Sequence, residues 1–269
     1  MKPEPFINLN RRFREFTPDE DPEKAALDSY TASLAGHEAG LGWEDLLERR
    51  LVVVLGEAGS GKTWEFREKA KALQSEGKTA FFIPLDQLIL QSLSGVLSKE
   101  EYDRFQSWLR GNEQATFFID SVDEAKYEKP SDFLTALDHF CKDISGNAFR
   151  RMHILLSSRI SEWRPQGDAQ ELIIRFPQPP PLKSKNEEQD TDHSEDAAKK
   201  HDEILVVQIE PLDRSRVTQF VRERGIPDPP SFIRALDESY AWPFAGRPID
   251  VIRMSPAPCS RREEAYKPN

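Results

Sequence analysis

The sequence predicts an α/β protein with a parallel sheet of five strands, and three observations carry that prediction. Short apolar runs recur at Leu51–Leu55, Thr79–Pro84, Ala115–Asp120, Met152–Ser158 and Ile204–Ile209. Helical patterns fill the intervals at Lys62–Glu76, Leu85–Gln91, Lys99–Arg110 and Ser131–Ile144, with another at Arg214–Arg224. Strands that alternate with helices need crossover connections, which make the pairing parallel. The first run opens directly into Gly56-Glu-Ala-Gly-Ser-Gly-Lys-Thr63, a glycine-rich turn of phosphate-binding type.

Ahead of the sheet, residues 1–45 are polar and rich in Pro, Asp and Glu, and read as an extension packing on the core. Short helical patterns fall there at Pro22–Leu34 and at Trp43–Arg50. Arg11, Arg12 and Arg14 form a basic cluster, read as a solvated face.

The turn after the first strand has a definite chemistry. Gly56, Gly61, Lys62 and Thr63 fill the pattern G-x-x-x-x-G-K-[ST], and Gly59 adds a third glycine. With no side chain in the way, the backbone N–H groups of Gly56, Glu57, Ala58, Gly59, Ser60 and Gly61 can curl around nucleotide phosphates. Lys62 reaches the β- and γ-phosphates, and the Thr63 hydroxyl is a candidate Mg²⁺ ligand. The helix starting near Gly61 aims its positive end at the same anion.

A phosphate loop needs an acidic partner for its metal. Downstream stands Thr116-Phe-Phe-Ile-Asp-Ser-Val-Asp-Glu-Ala125. Asp120 falls at the C-terminal tip of a buried strand, where open parallel sheets bind ligands, and is the second candidate Mg²⁺ ligand. Asp123 and Glu124 follow on the turn, either to polarise an attacking water or to cap the next helix. The strand Met152–Ser158 ends at Arg159, whose cation there faces a γ-phosphate; a plain surface arginine is the alternative.

Together these elements resemble the STAND class of P-loop NTPases, with its NACHT and AAA-like ATP-binding domains. The carriers are Gly56–Thr63 as Walker A, Phe117-Phe-Ile-Asp-Ser-Val-Asp-Glu124 as Walker B, and Leu155-Leu-Ser-Ser-Arg159 as the sensor-1 strand. A fourth, Trp242-Pro-Phe-Ala-Gly-Arg-Pro-Ile-Asp250, looks like the family's G-x-P element. The resemblance covers about residues 45–255. It implies an ASCE-type domain over residues 46–210 with sheet order 5-1-4-3-2, then a small helical lid over 211–255 with Pro248 against the adenine. It also implies Mg-ATP binding with slow hydrolysis, coupled to a conformational or oligomeric signalling switch, as in bacterial defence. The implied partners besides ATP are a second copy of the chain or a separate sensor or effector protein. STAND proteins normally continue into sensor repeats, whereas residues 256–269 read as a disordered tail, so unaided sensing is not expected.

Two rival readings stand beside this one. The first is an AAA-like ATPase motor or loader acting on nucleic acid; the second is a truncated, non-enzymatic nucleotide-binding protein. A GTPase would need an Asn-Lys-x-Asp base reader, which does not occur, and Leu93-Ser-Gly-Val-Leu97 lacks the rest of a transporter-ATPase signature.

The whole chain sets outer bounds. Its net charge of −10 over 269 residues means that nucleic acid is not indicated as a partner. Cys141 and Cys259 fit a reducing cytosol, no run is long enough for a membrane span, and a cytoplasmic protein is expected. The five histidines show no metal-ligand spacing, and His139 reads as structural. Residues 177–203, with four prolines and few large apolar side chains, read as a disordered insertion.

Overall fold

The computed structural model describes residues 6–17, 40–120, 130–144, 146–176 and 204–255. The helical pattern at Pro22–Leu34, the candidates Asp123 and Glu124, the insertion 177–203 and the tail 256–269 lie outside these residues.

Six strands form one mostly parallel sheet: β1 Phe13–Glu15, β2 Leu51–Leu55, β3 Thr79–Pro84, β4 Ala115–Asp120, β5 Met152–Ser158 and β6 Leu205–Ile209. Their order is β1-β6-β2-β5-β4-β3. The strands β2 to β6 pair in parallel, while β1 runs antiparallel to β6. This departs from the expected five-stranded sheet in strand count and in full order, because β1 is added outside β6. Counted from Leu51, the parallel strands succeed one another as fifth, first, fourth, third and second. The added strand has only three residues, too few to show a period in sequence. Its physical role is to cover the backbone groups of a sheet edge.

The sheet is buried on both faces, as parallel sheets are. All five residues of β2 are buried, with Val53 and Leu55 in one apolar cluster and Val52 and Val54 in the other. On the second face lies helix Lys62–Ser75, with Phe66, Ala70 and Leu73 turned inward at helical spacing. Helices Lys99–Arg110, Pro130–Lys142 and Pro165–Arg175 cover the first face through Phe105, Trp108, Leu137, Phe140 and Leu172. Each such side chain contributes roughly 1.5–3 kcal/mol by leaving water.

Local signals account for several boundaries. Lys99–Arg110 begins at a capping box, in which Ser98 Oγ accepts from the Glu101 N–H and Glu101 Oε2 accepts from the Ser98 N–H. The pattern at Leu85–Gln91 is a 3₁₀ turn over Leu85–Ile89 rather than an α-helix, and Leu93–Val96 is a single helical turn. No helix is expected from sequence at Pro165–Arg175, where Pro165 opens the first turn and Asp168 accepts from the Arg164 N–H.

A third apolar cluster joins the C-terminal helices Arg214–Glu223, Pro229–Glu238 and Pro248–Met254 through Val217, Phe220, Leu236 and Val251. Ile7 and Leu9 belong to it, whereas Phe13 belongs to the sheet cluster. The N-terminal segment therefore straps the C-terminal helices to the sheet edge. Arg11 lies midway and is 2 % exposed. A solvated basic face is thus wrong for this position: Ile7, Leu9, Arg11 and Phe13 all turn inward at period two. Arg14 also has a protein partner, donating to Gln208 Oε1 at 2.7 Å. Among the described residues no helix is long and apolar enough to cross a membrane.

Candidate functional site

The site is assembled at the C-terminal ends of β2, β4 and β5. Gly56 leaves β2 with its N–H donating to the Ser158 carbonyl at 3.1 Å, so the loop starts locked to β5. Gly59 and Gly61 take φ values of +78° and +97°, which favour glycine. Gly61 caps helix Lys62–Ser75 and puts Lys62 and Thr63 in its first turn. The Lys62 ammonium donates to the Gly56 carbonyl at 2.5 Å and to the Glu57 carbonyl at 3.3 Å. Ser60 Oγ is buried with no hydrogen-bond partner among the described residues, and a Cβ on Gly56 would stand 3.0 Å from it.

Asp120 is 2 % exposed at the tip of β4 and accepts a short hydrogen bond from Ser157 Oγ on the neighbouring β5. Arg159 follows β5 and is exposed, next to the residue whose carbonyl anchors Gly56. No three His, Cys, Asp or Glu side chains among the described residues converge to hold a metal. A Mg²⁺ here would need Thr63 and Asp120 together with phosphate oxygens, a donor set of hard oxygens that suits this ion. His139 has a structural contact, Nδ1 to the Leu88 carbonyl at 2.6 Å.

Pro248 opens helix Pro248–Met254, and this end sits on the loop. A Cβ on Gly61 would lie 3.8 Å from Pro248 Cγ, and one on Gly59 only 2.2 Å from Ile249 Cγ2. Arg247 Nη1 donates to the Ala58 carbonyl at 3.2 Å. An apolar pocket of about 130 Å³ opens beside Gly61, walled by Ile7, Leu9, Trp64, Phe220, Pro248 and Ile252. A larger one of about 430 Å³ is bounded by Glu57, Ser60, Glu210, Arg247 and Asp250.

Two charged residues that sequence reasoning missed hold this arrangement together. Arg11 donates through Nη1 to the Ser60 carbonyl at 2.9 Å and through Nη2 to the Glu210 carbonyl at 2.6 Å. Burial pulls its pKa down to about 10, against the upward pull of Glu65, so the guanidinium stays charged at neutral pH. Glu65, itself buried, accepts from Trp43 Nε1 at 3.3 Å. Burial raises its pKa, opposed by Arg11, the Trp43 hydrogen bond and Lys69. The period-two alternation through Arg11 was the available signal; nothing comparable marks Glu65 in sequence.

No family model and no curated protein matches the chain. Among solved structures, a replication initiator DnaA bound to AMPPCP and single-stranded DNA matches 88 % of this chain and 61 % of that one. The identity is 15 % and the TM-score 0.38, and the present chain spans about three-fifths of that protein. The DNA is that protein's ligand, and a likeness this distant transfers no activity. It does remove one expectation: with a DNA-bound structure among the matches, the statement that nucleic acid is not indicated no longer stands.

Proposed function

We propose that this chain is an ASCE-type P-loop NTPase that binds and hydrolyses Mg-ATP at Gly56–Thr63, with the helices over residues 211–255 acting as its lid. The observation that carries the reading is the seating of Pro248 and Ile249 on Gly61 and Gly59, which leaves an apolar pocket between the strap, the loop and the helix. An apolar cavity of about 150 Å³ takes one benzene ring, so this open pocket of similar size would take one ring of a flat base. Pro248, Ile7 and Leu9 would face that base, while Lys62 would leave its loop carbonyls for the phosphates. Mg²⁺ held by Thr63 and Asp120 would neutralise charge on the transferred phosphoryl group. Asp123 and Glu124 are the proposed water-polarising residues, and Arg159 the cation facing the γ-phosphate.

Signalling of the STAND type, with self-association or a separate sensor, rests on the motifs alone. A second reading, an AAA-like ATPase acting on nucleic acid, is favoured by Arg214, Arg216 and Arg222 on helix Arg214–Glu223 and Arg224 at its C-cap, in an acidic chain. The deciding experiment measures steady-state ATP hydrolysis by the purified protein with and without Mg²⁺, and with and without single-stranded DNA. Mg²⁺-dependent turnover that Glu124→Gln or Asp123→Asn slows supports the ATPase, and stimulation by DNA supports the second form. Hydrogen exchange over residues 242–252 reads the lid: protection by ATP is expected, and identical exchange would remove Pro248 as a base contact.

A further inference from the structure

We infer that Glu65 selects the base, its carboxylate accepting a hydrogen bond from the 6-amino group of adenine in the pocket beside Gly61. The inference rests on the nucleotide-binding reading above and adds what makes that pocket selective. Pocket walls supply area and little discrimination. Selectivity comes from a buried polar group, because a wrong partner leaves it unpaired.

Glu65 meets that description. It is 7 % exposed and lines the pocket with Trp64, immediately after the loop residues Lys62 and Thr63. Its Oε2 is taken by Trp43 Nε1, whereas Oε1 has no hydrogen-bond partner among the described residues. The Trp43 hydrogen bond fixes the carboxylate's orientation from behind. Arg11, its hydrogen bonds already directed to the Ser60 and Glu210 carbonyls, supplies a compensating charge nearby. The open oxygen is an acceptor, so it matches an amine on the base edge and finds no partner in a purine lacking one.

The test compares ATP, purine riboside triphosphate (hydrogen in place of the 6-amino group) and inosine triphosphate by calorimetry at pH 8. The wild-type chain should prefer ATP over the unsubstituted purine by about tenfold to a hundredfold, the range for a hydrogen bond to a charged group. Glu65→Gln keeps an oxygen for Trp43 and turns an NH₂ group toward the pocket. Its preference for ATP over the unsubstituted purine should fall to about one, and inosine triphosphate, with an oxygen at position 6, should gain. Equal binding of ATP and the unsubstituted purine by the wild-type chain overturns the inference without needing any variant to fold. So does a Glu65→Gln protein that keeps the wild-type ratio. Absence of binding by all three triphosphates overturns the nucleotide reading itself, so the two failures are distinguishable.

Discussion

Arg11 Nη1 lies 2.9 Å from the carbonyl oxygen of Ser60, which ties the strap before β1 to the middle of the glycine-rich loop. Its Nη2 reaches the Glu210 carbonyl just beyond β6, so one buried guanidinium spans strap, loop and sheet end. Arg11→Met would orphan two carbonyls and take from buried Glu65 the stronger of its two neighbouring cations, leaving Lys69. The expected loss of stability is about 2–4 kcal/mol. Chemical denaturation checks it, and a midpoint unchanged from wild type would show that the strap is held by Ile7, Leu9 and Phe13 alone.

Lys62 donates to the Gly56 and Glu57 carbonyls of its own loop and belongs to none of the three apolar clusters. Lys62→Ala should therefore abolish triphosphate binding while moving the melting temperature by no more than about 2 °C. Calorimetry and a thermal melt on one preparation read both halves. Wild-type ATP affinity in the variant would disprove the loop assignment.

Gly59 combines a left-handed backbone with the close approach of Ile249. Gly59→Ala should cost about 1–3 kcal/mol and lift the start of helix Pro248–Met254 from the loop. Adding Ile249→Ala should recover the part due to collision and leave the part due to backbone strain. Full recovery in the double variant would mean that the φ value carries no penalty.

Glu65 makes stability depend on pH. Burial raises its folded-state pKa above the ordinary 4.5, so folding favours the protonated form. Its contribution is fully present below the unfolded value and is lost as pH rises through the folded one. Between pH 4.5 and neutrality the wild-type chain should lose stability on this account, and Glu65→Gln should lack that component of the slope. Parallel denaturation curves at several pH values check it; identical slopes would place Glu65 in a more polar setting than its burial implies.

Much of the sheet was legible in the sequence because a buried strand leaves a local signature. β2, β3, β4 and β5 fall on apolar runs whose ends are marked by glycine, proline, aspartate or serine, and the start of Lys99–Arg110 is marked by its own capping box. The loop Gly56–Thr63 was legible for a related reason: close approach of backbone to phosphate dictates residue type at fixed spacing. These are properties of neighbours along the chain. Tertiary structure alone decided the rest. Arg11 meets Ser60 across 49 positions, Ile249 settles on Gly59, and Trp43 orients Glu65 across 22. Whether an arginine or a glutamate faces water or a buried carbonyl depends on what the folded chain brings opposite it, and the bare identity of the residue is compatible with both.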